Sequence, residues 1–252
     1  PAPYAAPQYR NTFHLNAFFV SDSIREAVDQ GRADYIPTFI SEIPDLFEQG
    51  SIPIDAAFIQ VSPPDVHGRA SLGISVDVVR TVIDNARLII AEVNPNMPRT
   101  QGDGTIDIDE VDFIVETDHP ILEVPSPEPD ADCERIARFI AQLVEDGSTI
   151  EFGIGRIPQA TMHFLRDKRD LGVHTEMFSD GLIDLIEAGV ITGVKKTLNP
   201  GKAIATFCMG TPRLYEFVQK CPQIEFRSSQ YVNDPAIIAK HDKMVAINTA
   251  LE

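Results

Sequence analysis

The sequence predicts an α/β protein of two open α/β domains with mainly parallel sheets. Three observations carry that expectation. Segments that read as strands alternate with segments that read as helices along the whole chain. Strand-like runs end in turn residues that lead directly into helix starts. One proline- and acid-rich stretch, "HPILEVPSPEPDADCE" at 119–134, interrupts the alternation. It divides the chain into expected domains at 1–127 and 128–252.

Before the break, "TFHLNAFFV" (12–20), "DAAFIQVS" (55–62), "ARLIIAEVN" (86–94) and "DFIVET" (112–117) have the β-branched and aromatic content of strands. "SDSIREAVDQG" (21–31), "TFISEIPDLFEQG" (38–50) and "SVDVVRTVIDNA" (75–86) have apolar residues at helical spacing. After it come a helix in "CERIARFIAQLVEDG" (133–147), a strand in "TIEFGIG" (149–155), a helix from Pro158 and a strand running to Glu176. A helix then ends at Gly189, followed by a strand in "AIATFCMG" (203–210), a helix in "TPRLYEFVQKC" (211–221) and a strand in "IEFRSSQYV" (224–232). The chain begins without methionine and stops after an apolar-rich segment, "MVAINTALE", so it reads as a piece of a longer polypeptide, incomplete at both ends.

The formal net charge of −17 disfavours nucleic acid and anionic membranes as partners, since both reward clustered Lys and Arg. An anionic ligand would need a local basic pocket. Cys133, Cys208 and Cys221 are odd in number and lack metal-ligand spacing, so they read as reduced thiols of a cytoplasmic protein with no metal site. No apolar run reaches the length of a membrane span, and no basic-then-apolar leader opens the chain.

Glu176, in "LGVHTEMFSDG", is a carboxylate where a strand gives way to a helix capped by Ser179 or Asp180. Open α/β sheets bind ligands at such carboxyl ends. "TIEFGIGRIPQATMHFL" joins strand to helix through Gly153 and Gly155, which let a ligand approach bare backbone amides. With Glu176 about 20 residues on, the loop imitates a dinucleotide fingerprint. Pro158, however, stands where that motif wants its third glycine, and a tight turn without ligand explains the glycines equally well. Glu176 itself reads either as a helix-start acid or as a covalent nucleophile with backbone donors nearby. His67 with Asp65 lacks a third metal ligand, Arg99 follows a strand toward the same crevice, and Asn233 reads as a turn residue at a strand end. Arg156, Lys195, Lys196 and Lys202 are the cations near the loops of the second half.

In combination, "FISEIPDLF", "DAAFIQVSPPDVHG", "AEVNPNMPRTQGD", "FGIGRIP", "GVHTEMFSDGLIDLIEAGVIT", "ATFCMGT" and "YVNDP" resemble the acetyl-CoA hydrolase/transferase family of CoA-transferases over nearly the whole chain. That group includes 4-hydroxybutyrate and butyryl-CoA:acetate CoA-transferases. The resemblance implies a CoA-transferase-like pair of α/β domains around a crevice. It makes Glu176 the nucleophile, gives the Ile154 N–H to an oxyanion hole and lines the site with Asn233. It implies acyl-CoA and a short-chain carboxylate as substrates, no tightly bound cofactor, a glutamyl-CoA thioester intermediate and a homodimer. Gly153, Gly155, Arg156, Lys195, Lys196 and Lys202 are then the candidates for CoA contacts. Family members are longer, with a preceding strand–helix unit and a following segment whose glycine-rich loop supplies the other oxyanion donor. An acyl-CoA hydrolase of the same fold and a non-catalytic CoA- or nucleotide-binding protein are the alternative readings.

Overall fold

The computed structural model describes residues 3–125 and 128–249. They form two compact units, Pro1–Ile43 and Pro44–Glu252. In the smaller unit, two short 3₁₀ turns precede a single βαβ hand in which β1 (Leu15–Ala17) and β2 (Ala33–Tyr35) pair in parallel around α1 (Arg25–Asp29). Ala17, Ile24, Ala27 and Ala33 are buried in it. The long strand expected over 12–20 shrinks to three residues, because β2, its only partner among the described residues, is itself three residues long.

The larger unit holds all but the first residue of α2 (Ile43–Glu48), then β3 (Ala57–Val61), β4 (Arg69–Ser71), α3 (Val79–Asn85), β5 (Ile89–Val93), β6 (Thr105–Asp107) and β7 (Phe113–Glu116). Strands β3, β5 and β7 make a parallel sheet in that order, while β4 and β6 form an antiparallel pair. After the proline-rich stretch, Asp130 caps α4 (Ala131–Leu143) by accepting from the Cys133 N–H at 2.9 Å. Cys133, Ala137 and Ala141 form the buried stripe of that helix, as four-residue spacing requires.

Next come β8 (Thr149–Phe152), α5 (Arg156–His163), β9 (Gly172–Val173), β10 (Met177–Phe178), α6 (Asp180–Glu187), β11 (Ala203–Ala205), β12 (Phe207–Cys208), α7 (Pro212–Lys220) and β13 (Ile224–Phe226). Two short helices, α8 (Ser229–Val232) and α9 (Pro235–Ile238), and a last strand, β14 (Met244–Ile247), follow. Strands β14, β8 and β9 pair in parallel in that order, and β11 pairs in parallel with β13. The isolated parallel bridge His174↔Ile204 joins the two sets into one array, β14-β8-β9-β11-β13. Among the described residues, every named pairing except β4–β6 is parallel, so the architecture is α/β as expected. The core of this unit packs Ile150, Phe152, Val173, Phe178, Leu182, Ile183 and Phe226 from the array and its helices.

Three further expected elements differ. The strand meant to run to Glu176 stops at Val173 and resumes at Met177, with Glu176 in the break. The strand over 203–210 divides at Thr206, whose N–H and hydroxyl both turn to the Glu176 carbonyl. The strand over 224–232 ends at Phe226, and Ser229–Val232 is helical instead: the Ser229 N–H donates to the Asp77 carbonyl, and that tertiary bond overrides the local β-propensity of Tyr231 and Val232.

A division at 127/128 lies inside the larger unit and stands as a proposal. Its support is that no named strand pairs across it among the described residues; the bridges Ser75↔Phe207 and Gly102↔Phe226 are the β-links that cross it.

Candidate active site

The carboxyl ends of the parallel array converge on Glu176. The registers Ile150↔Val173 and Ile247↔Phe152 continue past the strand ends and set Asn248, Gly153 and Glu176 in one row. The bridge His174↔Ile204, carried on by two residues, adds Thr206 to it. Residues in one row of a parallel sheet share a face. The Thr175 hydroxyl fastens the row by donating to the Phe152 carbonyl at 3.0 Å and accepting from the Phe152 N–H at 3.1 Å. On the opposite side the Thr206 N–H and hydroxyl each donate to the Glu176 carbonyl at 2.9 Å. The backbone under this carboxylate is therefore held from both neighbouring strands, as a reacting group needs.

The Glu176 side chain is half-buried, and its Oε2 accepts from Asn233 Nδ2 at 2.8 Å. Burial raises its pKa, the Asn233 bond opposes the rise, and the charge of Asp77 adds to it. Asp77 is itself engaged, accepting from the Ser75 hydroxyl at 2.5 Å and from the Val78 N–H. A second carboxylate, Glu151, lies two rows behind on the same face: burial raises its pKa, the Asn248 amide opposes that at 2.7 Å, and the Glu176 charge reinforces it. Asn233 Oδ1 is buried with no partner among the described residues, so an acceptor beside the nucleophile candidate is open.

The glycine turn adjoins this row. Gly153 N–H donates to the Ile247 carbonyl at 2.9 Å, whereas the next N–H, that of Ile154, has no partner among the described residues. An added Cβ at Gly153 would lie 2.0 Å from Asn248 Oδ1, so a side chain there would displace the Asn248 amide. Gly155 caps α5 at φ 143°, a conformation only glycine adopts freely. Gly153, Ile154 and Gly155 line a cavity of about 70 Å³ together with Phe152, Met177 and Ser179, so the turn and Met177, the residue after Glu176, open on one space.

The six proposed CoA contacts do not gather equally. Gly153, Gly155 and Arg156 are at the turn, where exposed Arg156 pairs with Asp130 at 2.7 Å. Lys195 is exposed and makes no ion pair among the described residues. Lys196 is 4% exposed; its ammonium donates to the carbonyls of Val173 at 2.7 Å and Lys202 at 2.8 Å, and burial first, then Arg227, lowers its pKa to about 7. Lys202 is tied to Glu225 at 2.9 Å and to the Pro222 carbonyl. Arg99 braces the loop at 62–69 by donating to the carbonyls of Pro63 and Arg69, and Asp65 is held by the N–H groups of His67 and Arg69. Asp180 does not cap α6 with its side chain; it accepts from the Thr211 N–H and hydroxyl. Asp77, Glu151, Thr175, Thr206 and Asn248 were not singled out from the sequence. Of these, Glu151 alone carried a local signal, since it shares the parity of Gly153 on the strand.

The models of the acetyl-CoA hydrolase/transferase N-terminal and C-terminal domains match residues 3–125 and 210–252. The chain belongs to the acetyl-CoA hydrolase/transferase family. Glu176 lies between the two matched stretches of this family member. The 4-hydroxybutyrate coenzyme A transferase of Clostridium kluyveri is 47% identical over 249 residues, 99% of this chain and 58% of that protein. The succinyl-CoA:acetate/propanoyl-CoA:succinate CoA transferase of Fasciola hepatica is 42% identical over 99% of this chain and 52% of its own length. The chain thus spans a little over half the length of these curated relatives. Among solved structures, RipA from Yersinia pestis superposes with a TM-score of 0.91 at 38% identity, covering 95% of this chain and 57% of that one. A 4-hydroxybutyrate CoA-transferase from Porphyromonas gingivalis gives 0.82 at 37% identity, covering 96% and 63%. No helix among the described residues is long and apolar enough to cross a membrane.

Proposed function

We propose that this chain carries the nucleophile-bearing part of a CoA-transferase that moves CoA between an acyl-CoA and a short-chain carboxylic acid. The observation that carries the reading is the pairing of Glu176 with Asn233 at the carboxyl ends of the parallel strands; the Ile154 N–H, next in the chain after Gly153, has no partner among the described residues.

With Oε2 engaged by Asn233, Oε1 attacks the thioester carbonyl carbon. The C–S bond breaks and CoA leaves as thiolate, giving an acyl-glutamyl anhydride; the thiolate then attacks the glutamyl carbonyl and releases the original acid. A second carboxylate reverses both steps and restores Glu176 with no net proton change. The Ile154 N–H stabilises the oxyanion formed at each attack. Exchanging a thioester for an anhydride is uphill, and binding of the remote CoA tail offsets it. Water must stay out, since it would turn transfer into hydrolysis. Gly153, Gly155 and Arg156 are the CoA contacts this reading keeps; Lys195 lies farther along the surface, while the engaged Lys196 and Lys202 support the fold. CoA is substrate here and no tightly bound cofactor is invoked. The free thiols Cys133, Cys208 and Cys221 support a cytoplasmic location, and the family likeness supports a homodimer.

The test is to incubate the full-length protein with acetyl-, butyryl-, succinyl- or 4-hydroxybutyryl-CoA and isotope-labelled acetate. Labelled acetyl-CoA should form one-for-one with free acid, without net release of CoA thiol. Thiol release independent of acceptor would make the protein a hydrolase; binding without turnover across the whole series would make it a CoA-binding protein.

A further inference from the structure

Two residues before Glu176, on the same face of the strand, His174 is completely buried. Its Nε2 lies 2.9 Å from the Val232 carbonyl oxygen, which has no proton to give, so Nε2 carries the proton and donates. Nδ1 of that ring is then an acceptor and lies 3.2 Å from His241 Nε2, which must therefore be the protonated nitrogen of its own ring. His241 Nδ1 is left as a buried acceptor without a partner among the described residues. Both rings are neutral: burial above all lowers the pKa of each to about 4, against the pull of the Val232 bond on His174.

Val232 is the last residue of α8 and Asn233 is its C-cap. The carbonyl that His174 grips belongs to the same rigid peptide plane as the Asn233 nitrogen. Two side-chain bridges thus run side by side from the strand to this turn, His174 to the Val232 carbonyl and Glu176 to the Asn233 amide. The turn needs such a hold, since α8 has only four residues and the Ser229 hydroxyl within it is buried without a partner among the described residues.

We propose that His174 is a positioning residue for the nucleophile: through the Val232–Asn233 peptide it keeps the Asn233 amide on one oxygen of Glu176 and leaves the other free to attack the thioester. This assignment rests on the reading of Glu176 as nucleophile. His174 touches neither substrate nor reacting atoms, so its loss acts on turnover and leaves CoA binding alone.

The test compares steady-state constants of the full-length protein. Gln places an amide N–H where Nε2 stands, Asn is one bond too short to reach Val232, and Leu has no donor. His174→Leu and His174→Asn should lower kcat by about ten- to a hundredfold, the scale of a misplaced reacting group, with KM for acyl-CoA within about twofold. His174→Gln should recover most of kcat. A double variant with Asn233→Ala should be no slower than Asn233→Ala alone, because both changes break one connection. Should His174→Leu fail to fold, the Asn and Gln pair decides the matter. Equal kcat in those two, a rise confined to KM, or losses that multiply in the double variant would overturn the proposal. Glu176→Gln is assayed alongside. Turnover there would defeat the nucleophile reading, whereas an inactive Glu176→Gln beside a fully active His174→Leu would defeat the positioning role alone.

Discussion

Asn233 Nδ2 stands 2.8 Å from Glu176 Oε2, which joins residues 57 positions apart and ties the short α8 turn to the carboxyl end of the central array. This bond opposes the effect of burial on Glu176, so it favours the ionised carboxylate on which the proposed mechanism depends.

Asn233→Ala should therefore do two things. The loss of a hydrogen bond to a charged group is worth about 1.5–3 kcal/mol, so kcat falls by about ten- to a hundredfold. The bond favours the ionised form, so without it the carboxyl pKa climbs and the acid limb of the kcat–pH profile moves to higher pH. A pH–rate series on wild type and variant checks both; an unshifted limb would separate Asn233 from the carboxylate.

Glu176 also weakens the fold that carries it. Its folded pKa is raised, so between the unfolded and folded values the native state binds the extra proton and stability falls as pH rises. The penalty is complete above the folded pKa and absent below the unfolded one. Glu176→Gln should accordingly raise Tm at pH 7 and lose that advantage toward pH 4. Thermal melts across that range provide the check, and a destabilised variant at pH 7 would refute it.

Gly153→Ala tests the row next to Glu176. The new methyl would meet the end of the Asn248 side chain at 2.0 Å, an atom that can swing away, so Tm should move little. The displaced amide leaves Glu151 and crowds the turn that presents the Ile154 N–H, so kcat should fall, by as much as the about 10²–10³-fold of a lost oxyanion contact. Wild-type kcat would place the turn outside the chemistry.

The cations divide by environment. Arg156 sits at the turn in a solvent-exposed pair, and such pairs contribute about 0–1 kcal/mol, so Arg156→Glu should raise KM for acyl-CoA while Tm holds. Lys196→Met would strand two buried carbonyls, at about 1–3 kcal/mol each, so it should lower Tm while KM holds. Titration of both constants in the two variants decides which cation faces the ligand.

Much of this candidate site was legible in the sequence where local chemistry and tertiary structure agree. The strand, the Gly153–Gly155 turn and the following helix were visible from composition, and the strand–helix junction exposed Glu176. Asp77 and Asn248 were not visible, because they reach the site through a loop from the other side of the proline-rich stretch and through a strand 72 residues beyond Glu176. The turn before Asn233 was misread because Phe226, Tyr231 and Val232 favour strand locally, while the bond from Ser229 to Asp77 that makes it helical is long-range. Lys196 showed its charge but not its burial, which depends on the carbonyls that enclose it.

The most direct test is to add borohydride to the full-length protein during incubation with acyl-CoA and to measure the peptide containing residue 176 by mass. A glutamyl-CoA thioester would be reduced to an alcohol, so the peptide should lose one oxygen and gain two hydrogens only when acyl-CoA is present, with activity lost in proportion. An unmodified Glu176 in protein that has lost activity, or the reduced residue found elsewhere in the chain, would contradict the assignment of Glu176 as the covalent nucleophile.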